Sequence, residues 1–187
     1  MNSKRRYHKY AQDIATVSMC TALIIISSWI SIPFPISFTL QTLAIFIVCL
    51  LFDFKISFIS VLLYVFMGIV GVPVFSGFNT GFSFIVGPTG GFILSFLLFP
   101  FFISTLKRSS FILATVVCTL LCYIIGTLWF CFIYSGSSGM NIISILAICI
   151  FPFVIPDTLK VLLACTLCKR LSKIKLKKQW GFICKIR

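Results

Sequence analysis

The chain has 187 residues, of which 60% are hydrophobic and only 10% are charged, and its formal net charge is +13. With a mean hydropathy of +1.15, this composition excludes a water-soluble domain of ordinary type and predicts a protein of the lipid bilayer. The basic residues cluster before the first apolar segment and after the last one, which argues against nucleic-acid binding and is typical of membrane-flanking segments.

Six apolar runs follow one another with short linkers, and each is a candidate membrane span. They cover 14–32, 38–52, 56–75, 82–106, 111–134 and 142–168, and the last contains two charges. The second run is short against the roughly 20 residues that a span needs. We therefore predict an all-α integral membrane protein with a six transmembrane helix bundle. Its single domain covers 14–168, between a basic flank at 1–13 and a basic tail at 169–187.

The distribution of lysine and arginine predicts the orientation. If all six runs span, every Lys and Arg except Lys160 lies on one side, together with both tails and the linkers at 53–55 and 107–110. The positive-inside rule then places the N-terminus and the C-terminus in the cytoplasm. The opposite linkers are uncharged and rich in Gly, Pro, Ser and aromatic residues. Irregular backbone of this kind near the membrane is tolerated beside protein or a wet cavity, so we expect a pocket on the outer side.

The last run carries the one carboxylate within a predicted span. Asp157 is followed three residues later by Lys160, so the two side chains share a helix face. Ionisable groups are costly in a membrane and usually mark function. The alternative is an ion pair that only neutralises itself, or a lysine that snorkels to the interface. Pro152 and Pro156 predict a bend at the same level, which favours a binding site.

Four further residues are candidates for ligand contact. Gln41 lies at the outer start of the second run, where its amide can bind a ligand or cap a loop. Tyr123 lies within the fifth run, where its phenol needs a partner from a ligand or a neighbouring helix. Phe75 and Asn79 lie at and in an outer linker.

The sequence argues against catalysis and against a metal site. The glycine-rich segment at 87–91 lacks the G-K-[ST] ending of a phosphate-binding loop, and we interpret it as a helix break with close packing. Three acidic residues and one histidine do not assemble into an acid–base pair or a metal cluster. The cysteines within the apolar runs are interpreted as packing residues. We therefore predict a protein that is not an enzyme and holds no metal or cofactor.

Ala11 and Ala15 begin a stripe of small residues along one face of the first helix. Such a stripe permits close approach of another helix. The helix that it meets belongs either to the same bundle or to a partner protein.

Five segments together resemble the BioY family, the biotin-specific substrate-binding components of energy-coupling-factor (ECF) transporters. They are PISFTLQT at 35–42, GVPVF at 71–75, GPTGGF at 87–92, YIIGTLWF at 123–130 and IPDTLK at 155–160. Their order and spacing extend the resemblance from about residue 21 to residue 170.

The resemblance implies a multi-pass protein of the cell membrane that takes up biotin. It implies as partners a transmembrane coupling protein and two ATPase subunits, with Ala11 and Ala15 as a docking surface. Asp157 would accept an N–H of the ureido ring, and Lys160 would meet either the ureido carbonyl or the carboxylate. The alternatives are another vitamin such as thiamine or riboflavin on the same fold, a structural membrane subunit, and a self-sufficient carrier.

Overall fold

The computed structural model describes residues 3–32, 37–107, 109–134 and 150–184. The helices in chain order are α1 (Ser3–Trp29), α2 (Gln41–Leu51), α3 (Phe54–Val70), α4 (Phe82–Val86), α5 (Gly90–Ser95), α6 (Phe99–Leu106), α7 (Phe111–Tyr134) and α8 (Phe151–Cys184). Two 3-10 turns cover Ser76–Phe78 and Phe96–Leu98, and two short strands are β1 (Ser31–Ile32) and β2 (Phe38–Thr39).

These helices correspond to the six predicted apolar runs. Within the described residues, three helices are long and apolar enough to cross a membrane, over Tyr7–Trp29, Phe111–Ile133 and Phe151–Leu171. The other three runs form shorter apolar helices over Gln41–Leu51, Phe54–Val70 and Gly90–Leu106. The predicted short second span is confirmed by α2, which has 11 residues. The helical membrane class is confirmed, while the side that each terminus faces stays a prediction.

The bounds of two helices differ from the predicted runs. α1 begins at Ser3 and α8 continues to Cys184, so helix extends through much of the predicted basic flank and tail. Hydropathy marks only the part of a helix that lies in hydrocarbon, and charged residues can continue a helix beyond it. The domain boundaries at 13 and 169 stay a prediction, and residues 142–149 of the sixth run lie outside the described residues.

The core lies where α1, α2 and α3 meet and where α2 packs against α8 and α6. Its largest fully buried side chains include Tyr64, Phe46 and Phe99. Outward-facing positions carry large apolar side chains such as Phe132 and Phe151, each 83% exposed, as expected where a helix meets lipid. The described cysteines in the apolar runs are unpaired and, apart from half-buried Cys131, buried in this core, in keeping with their interpretation as packing residues.

A small antiparallel hairpin joins α1 to α2, and the all-α prediction did not include it. Ser31 pairs with Thr39 and Ile32 pairs with Phe38. Next to it, Ser28 Oγ donates to the Val74 carbonyl, and Trp29 Nε1 donates to the Pro73 carbonyl at 2.9 Å. These bonds attach the end of α1 to the linker between α3 and α4. The ends of the first and third predicted runs are therefore held together.

The predicted break in the fourth run is confirmed between α4 and α5. α4 ends at Val86, and α5 begins at Gly90. Trp129 Nε1 on α7 donates to the Gly87 carbonyl at 3.0 Å, which satisfies backbone that the break exposes. A Cβ placed on Gly91 would lie 2.3 Å from Trp129 Cβ, so glycine is needed for α5 to approach α7.

Lys107 stabilises the opposite end of the bundle. Its Nζ donates to the carbonyl of Phe52 at 2.8 Å and to that of Cys49 at 3.2 Å. These carbonyls lie at the C-terminal end of α2, where helix carbonyls lack partners and the helix dipole favours a cation. The linker after α6 is thereby attached to α2.

Candidate ligand-binding site

A buried ion pair lies on α8. Lys160 Nζ and Asp157 Oδ1 are 2.8 Å apart, and the two residues are 4% and 8% exposed. α8 continues through Pro156, one residue before the carboxylate. α2 and α7 pack against α8 and shield the pair. The two charges thus neutralise each other within a membrane-spanning helix, as burial of charge requires.

Tyr123 completes a three-residue cluster with this pair. Its Oη on α7 donates to Asp157 Oδ2 at 2.7 Å. The partner that the phenol needs is therefore supplied by a neighbouring helix. Each oxygen of the Asp157 carboxylate then accepts a hydrogen bond, one from Tyr123 and one from Lys160.

Phe38 of β2 covers the lysine of this cluster. Lys160 Nζ lies 4.0 Å from the centre of the Phe38 ring, which is cation–π geometry. Phe38 also stacks on Phe153 of α8 at 6.4 Å between ring centres. Sequence reasoning did not single out Phe38, because its approach to α8 depends on the hairpin. Phe38 of β2 thus covers one side of the ion pair.

A small polar cavity lies on the other side of β2. It holds about 50 Å³, and its polar lining consists of Ser37, Thr39, Gln41, Tyr64, Ser76 and Thr89. Ser37 and Thr39 flank Phe38, and alternate residues of extended chain point to opposite faces. β2 therefore borders both the ion pair and the cavity. All six polar side chains are neutral.

Three buried polar atoms of the cavity residues form no well-aligned hydrogen bond among the described residues. They are Gln41 Nε2, Tyr64 Oη and Thr89 Oγ1. The phenol of Tyr64 nevertheless lies close enough to the side chains of Ser28 and Gln41 to interact with both. Gln41 and Tyr64 are 4% and 0% exposed. Buried polar groups are nearly always hydrogen-bonded, to protein or to ordered water. The cavity has room for either a water molecule or a polar group of a ligand.

The other predicted site residues divide between the cavity and the surface. Phe75 is fully buried in the cavity wall, with its ring 5.7 Å from that of Tyr64 and 5.2 Å from that of Phe84. Asn79 is exposed, and its Nδ2 donates to the Ser76 carbonyl at 2.7 Å, within the linker itself. The structure does not bring Asn79 into the cavity. Ala11 and Ala15 are exposed on α1, apart from both sites.

Sequence reasoning missed Tyr64 and Thr89. Tyr64 lies in the middle of an apolar run, as Tyr123 does, so the same need of a phenol for a partner could have identified it. Thr89 had no such signal, because a threonine hydroxyl can bond its own helix. It follows Gly87 and Pro88 in the helix break, and that break places it on the cavity.

A larger groove between α7 and α8 has a different character. It holds about 520 Å³ and is lined mainly by apolar side chains such as Val116, Leu120 and Val154, but Tyr123 and Asp157 of the cluster line it as well. Leu120 and Leu162 at this groove are more than half exposed. Lipid tails cover such apolar surfaces in a bilayer, so the cluster adjoins a surface that faces lipid.

Comparison with known proteins identifies the family. The family model described as the BioY family matches residues 1–177. The chain belongs to the BioY family. This confirms the resemblance found in the sequence and extends it beyond residues 21–170, into the basic flank and tail.

Two relatives match over nearly their whole length. The probable biotin transporter BioY of Pyrococcus horikoshii is 32% identical, with 87% of this chain and 97% of that protein covered. The biotin transporter BioY of Thermotoga maritima is 35% identical, with 89% of this chain and 99% of that protein covered. These matches support family membership over the full bundle.

A solved structure confirms the fold. It is the S-component for biotin from an ECF-type ABC transporter, and it matches with a TM-score of 0.79. The alignment covers 92% of this chain and 95% of that chain at 24% identity. This chain therefore has the membrane fold of that S-component.

Proposed function

We propose that this chain is the biotin-binding subunit of an ATP-driven importer of the ECF type, in the cell membrane. The observation that carries the proposal is the buried Asp157–Lys160–Tyr123 cluster in a BioY-family membrane bundle. Ionisable residues in a membrane-spanning helix raise the free energy of insertion, and they usually have a functional role. The chain would capture ligand and leave ATP hydrolysis to partners.

The chemistry of biotin suits the cluster. The ureido ring offers two N–H donors and one carbonyl acceptor, and an ionised carboxylate accepts hydrogen bonds only. Asp157 would accept one ureido N–H. Its Oδ2 now accepts from Tyr123, so a ligand N–H would share that oxygen with the phenol or displace it. Tyr123 would therefore position the carboxylate in the free protein.

Lys160 fixes the carboxylate from the other side. Its ammonium has three N–H donors, and the bond to Asp157 Oδ1 uses one of them. The remaining donors face an aromatic ring, which supports the cation without supplying a hydrogen-bond acceptor. Lys160 would thus hold the Asp157 carboxylate in position for the ligand.

The buried polar groups of the cavity favour a ligand-binding subunit over a purely structural one. If Asp157 and Lys160 served only the fold, Asp157 would need no further partner, because both of its oxygens already accept hydrogen bonds. A purely structural role would leave Thr89 Oγ1 buried without a partner among the described residues, whereas Tyr64 lies close enough to interact with Gln41 and Ser28. Ligand binding would account both for the buried ion pair and for the buried polar groups of the cavity.

The partners in the proposal are a transmembrane coupling protein and two ATPase subunits. Ala11 and Ala15 are exposed on α1 and would form the docking surface for the coupling protein. Small side chains allow two helices to approach closely. After capture on the outer side, the subunit would reorient with the help of its partners and release biotin inside.

Uptake of labelled biotin into vesicles tests the proposed importer. We expect ATP-dependent uptake only when the chain is reconstituted with the coupling protein and both ATPases, and no inhibition by thiamine or riboflavin.

Replacing Ala15 with tryptophan should abolish uptake but preserve biotin binding, because the larger side chain separates the docking helices. Ile14→Trp, at an exposed neighbouring position, is the matched control and should retain uptake. Uptake by the chain alone would instead establish a self-sufficient carrier.

A further inference from the structure

We propose that the C-terminal extension of α8 binds anionic phospholipid headgroups on the side of the membrane where this helix leaves the bilayer. The extension is the part of α8 that follows Cys168, residues 169–184. It begins more than two helical turns after Lys160, so the inference concerns a surface separate from the ligand cluster. It does not depend on which vitamin the chain binds.

α8 leaves the packed bundle near Cys168. Cys165 and Cys168 are buried, and Thr115 Oγ1 near the start of α7 lies 3.7 Å from Cys165 Sγ. The next two residues, 169 and 170, are exposed. The apolar span ends at Leu171, although α8 itself continues. The extension therefore projects beyond both the bundle and the hydrocarbon.

The extension is strongly basic and contains no acidic residue. Its six cations are Lys169, Arg170, Lys173, Lys175, Lys177 and Lys178. No Asp or Glu follows Asp157 in the chain, so no carboxylate within the extension offsets this charge. Cations clustered immediately beside a membrane span attract anionic lipids electrostatically. The composition of the extension thus fits a negatively charged membrane surface.

The rise of the helix keeps these cations within reach of the headgroups. At 1.5 Å per residue, the backbone of residue 178 lies about 10 Å beyond that of Leu171 along the helix axis. The headgroup region occupies about 5–7 Å on each side of the hydrocarbon. Residue 178 then lies a few ångström beyond the headgroups even if α8 is perpendicular to the membrane, within the Debye length of about 8 Å at physiological salt. The other five cations lie closer.

The position of the extension favours lipid over a protein or a nucleic acid. α8 emerges directly from the bilayer, so headgroups surround its exit and no separate encounter is needed. The same end of the bundle carries further cations. Lys107, in the linker before α7, donates to the Phe52 carbonyl at the end of α2, and Lys55 in the next helix is exposed. The extension thus continues a basic rim that faces the membrane surface.

Thermal unfolding of the full chain in detergent with added lipid tests the inference. The lipids are dioleoylphosphatidylglycerol, which is anionic, and dioleoylphosphatidylcholine, which is zwitterionic. One variant combines Lys173→Gln, Lys175→Gln, Lys177→Gln and Lys178→Gln. Its matched control has arginine at the same four positions, and both replacements are good helix formers.

We expect phosphatidylglycerol, and not phosphatidylcholine, to raise the unfolding temperature of the unmodified chain and of the arginine variant. The glutamine variant should need at least about 10-fold more phosphatidylglycerol for the same shift, because four cations are removed. The shift should disappear in 1 M salt, where the Debye length falls to about 3 Å. Size-exclusion profiles and unfolding temperatures without lipid that match the unmodified chain establish that both variants are folded.

A further variant separates the extension from the net charge of the chain. Glutamine in place of Lys4, Arg5, Arg6 and Lys9 removes four charges from the other basic segment, where Asp13 offsets part of the charge, and should weaken the lipid effect less. An equal loss in both glutamine variants would assign the effect to net charge and overturn the inference. So would equal stabilisation by phosphatidylcholine, or no stabilisation of the unmodified chain by either lipid.

Discussion

Replacing Lys160 with methionine is expected to destabilise the protein by about 3 kcal/mol, because the Asp157 carboxylate then stays buried without its cation. Asp157 keeps only the hydrogen bond from Tyr123, which does not neutralise its charge. Asp157→Asn should be destabilising in the same way, since it leaves the ammonium of Lys160 buried. Thermal unfolding in detergent measures both effects.

The double variant Asp157→Asn, Lys160→Met should regain most of that stability but not bind biotin tightly. With both charges removed, neither is left buried alone, and replacement of a whole buried pair is often close to neutral. Loss of a charged hydrogen-bonding partner typically costs 2–5 kcal/mol in a buried interface, so we expect at least about 30-fold weaker binding. Recovery of tight binding together with stability would show that the pair serves only the fold.

Gly90→Ala is expected to prevent accumulation of folded protein or to destabilise it by more than about 3 kcal/mol. A Cβ at this position would lie 1.5 Å from the Ile85 carbonyl oxygen and 3.2 Å from Trp129 Nε1. The Ile85 oxygen belongs to backbone at the end of α4 and cannot rotate away as a side chain would. The substitution should therefore separate α4 from α5 and disturb the turn that carries Thr89.

Gly87→Ala is the matched control within the same segment. Its added Cβ would have its nearest contact at 3.2 Å, with the Phe84 carbonyl oxygen, so a small shift accommodates it. We expect a loss of less than about 1 kcal/mol. Size-exclusion profiles and thermal unfolding in detergent compare the two variants. Equal stability of Gly90→Ala and Gly87→Ala would contradict the packing described for the break.

The sequence predicts the bundle because its signals are local. Hydropathy and the spacing of charges locate the helices, and the glycines at 87–91 locate the break in the fourth run. Asp157 and Lys160 are conspicuous because ionisable residues within a span are rare. Their pairing follows from a separation of three residues on one helix.

The cavity could not be predicted because its residues come from distant segments. Thr39, Tyr64 and Thr89 meet only after the hairpin forms and the fourth run breaks. A two-residue strand such as β2 leaves almost no pattern in the sequence. Asn79 illustrates the reverse case. A polar residue in an outer linker indicated a ligand contact, but its side chain bonds the linker backbone.

Isothermal titration of the purified, ligand-stripped chain with biotin, with thiamine and riboflavin as controls, tests the central claim most directly. The account predicts saturable binding of biotin and no binding of the other two vitamins. A folded, ligand-free sample that does not bind biotin would contradict the claim, and the six-run membrane bundle would stand without it.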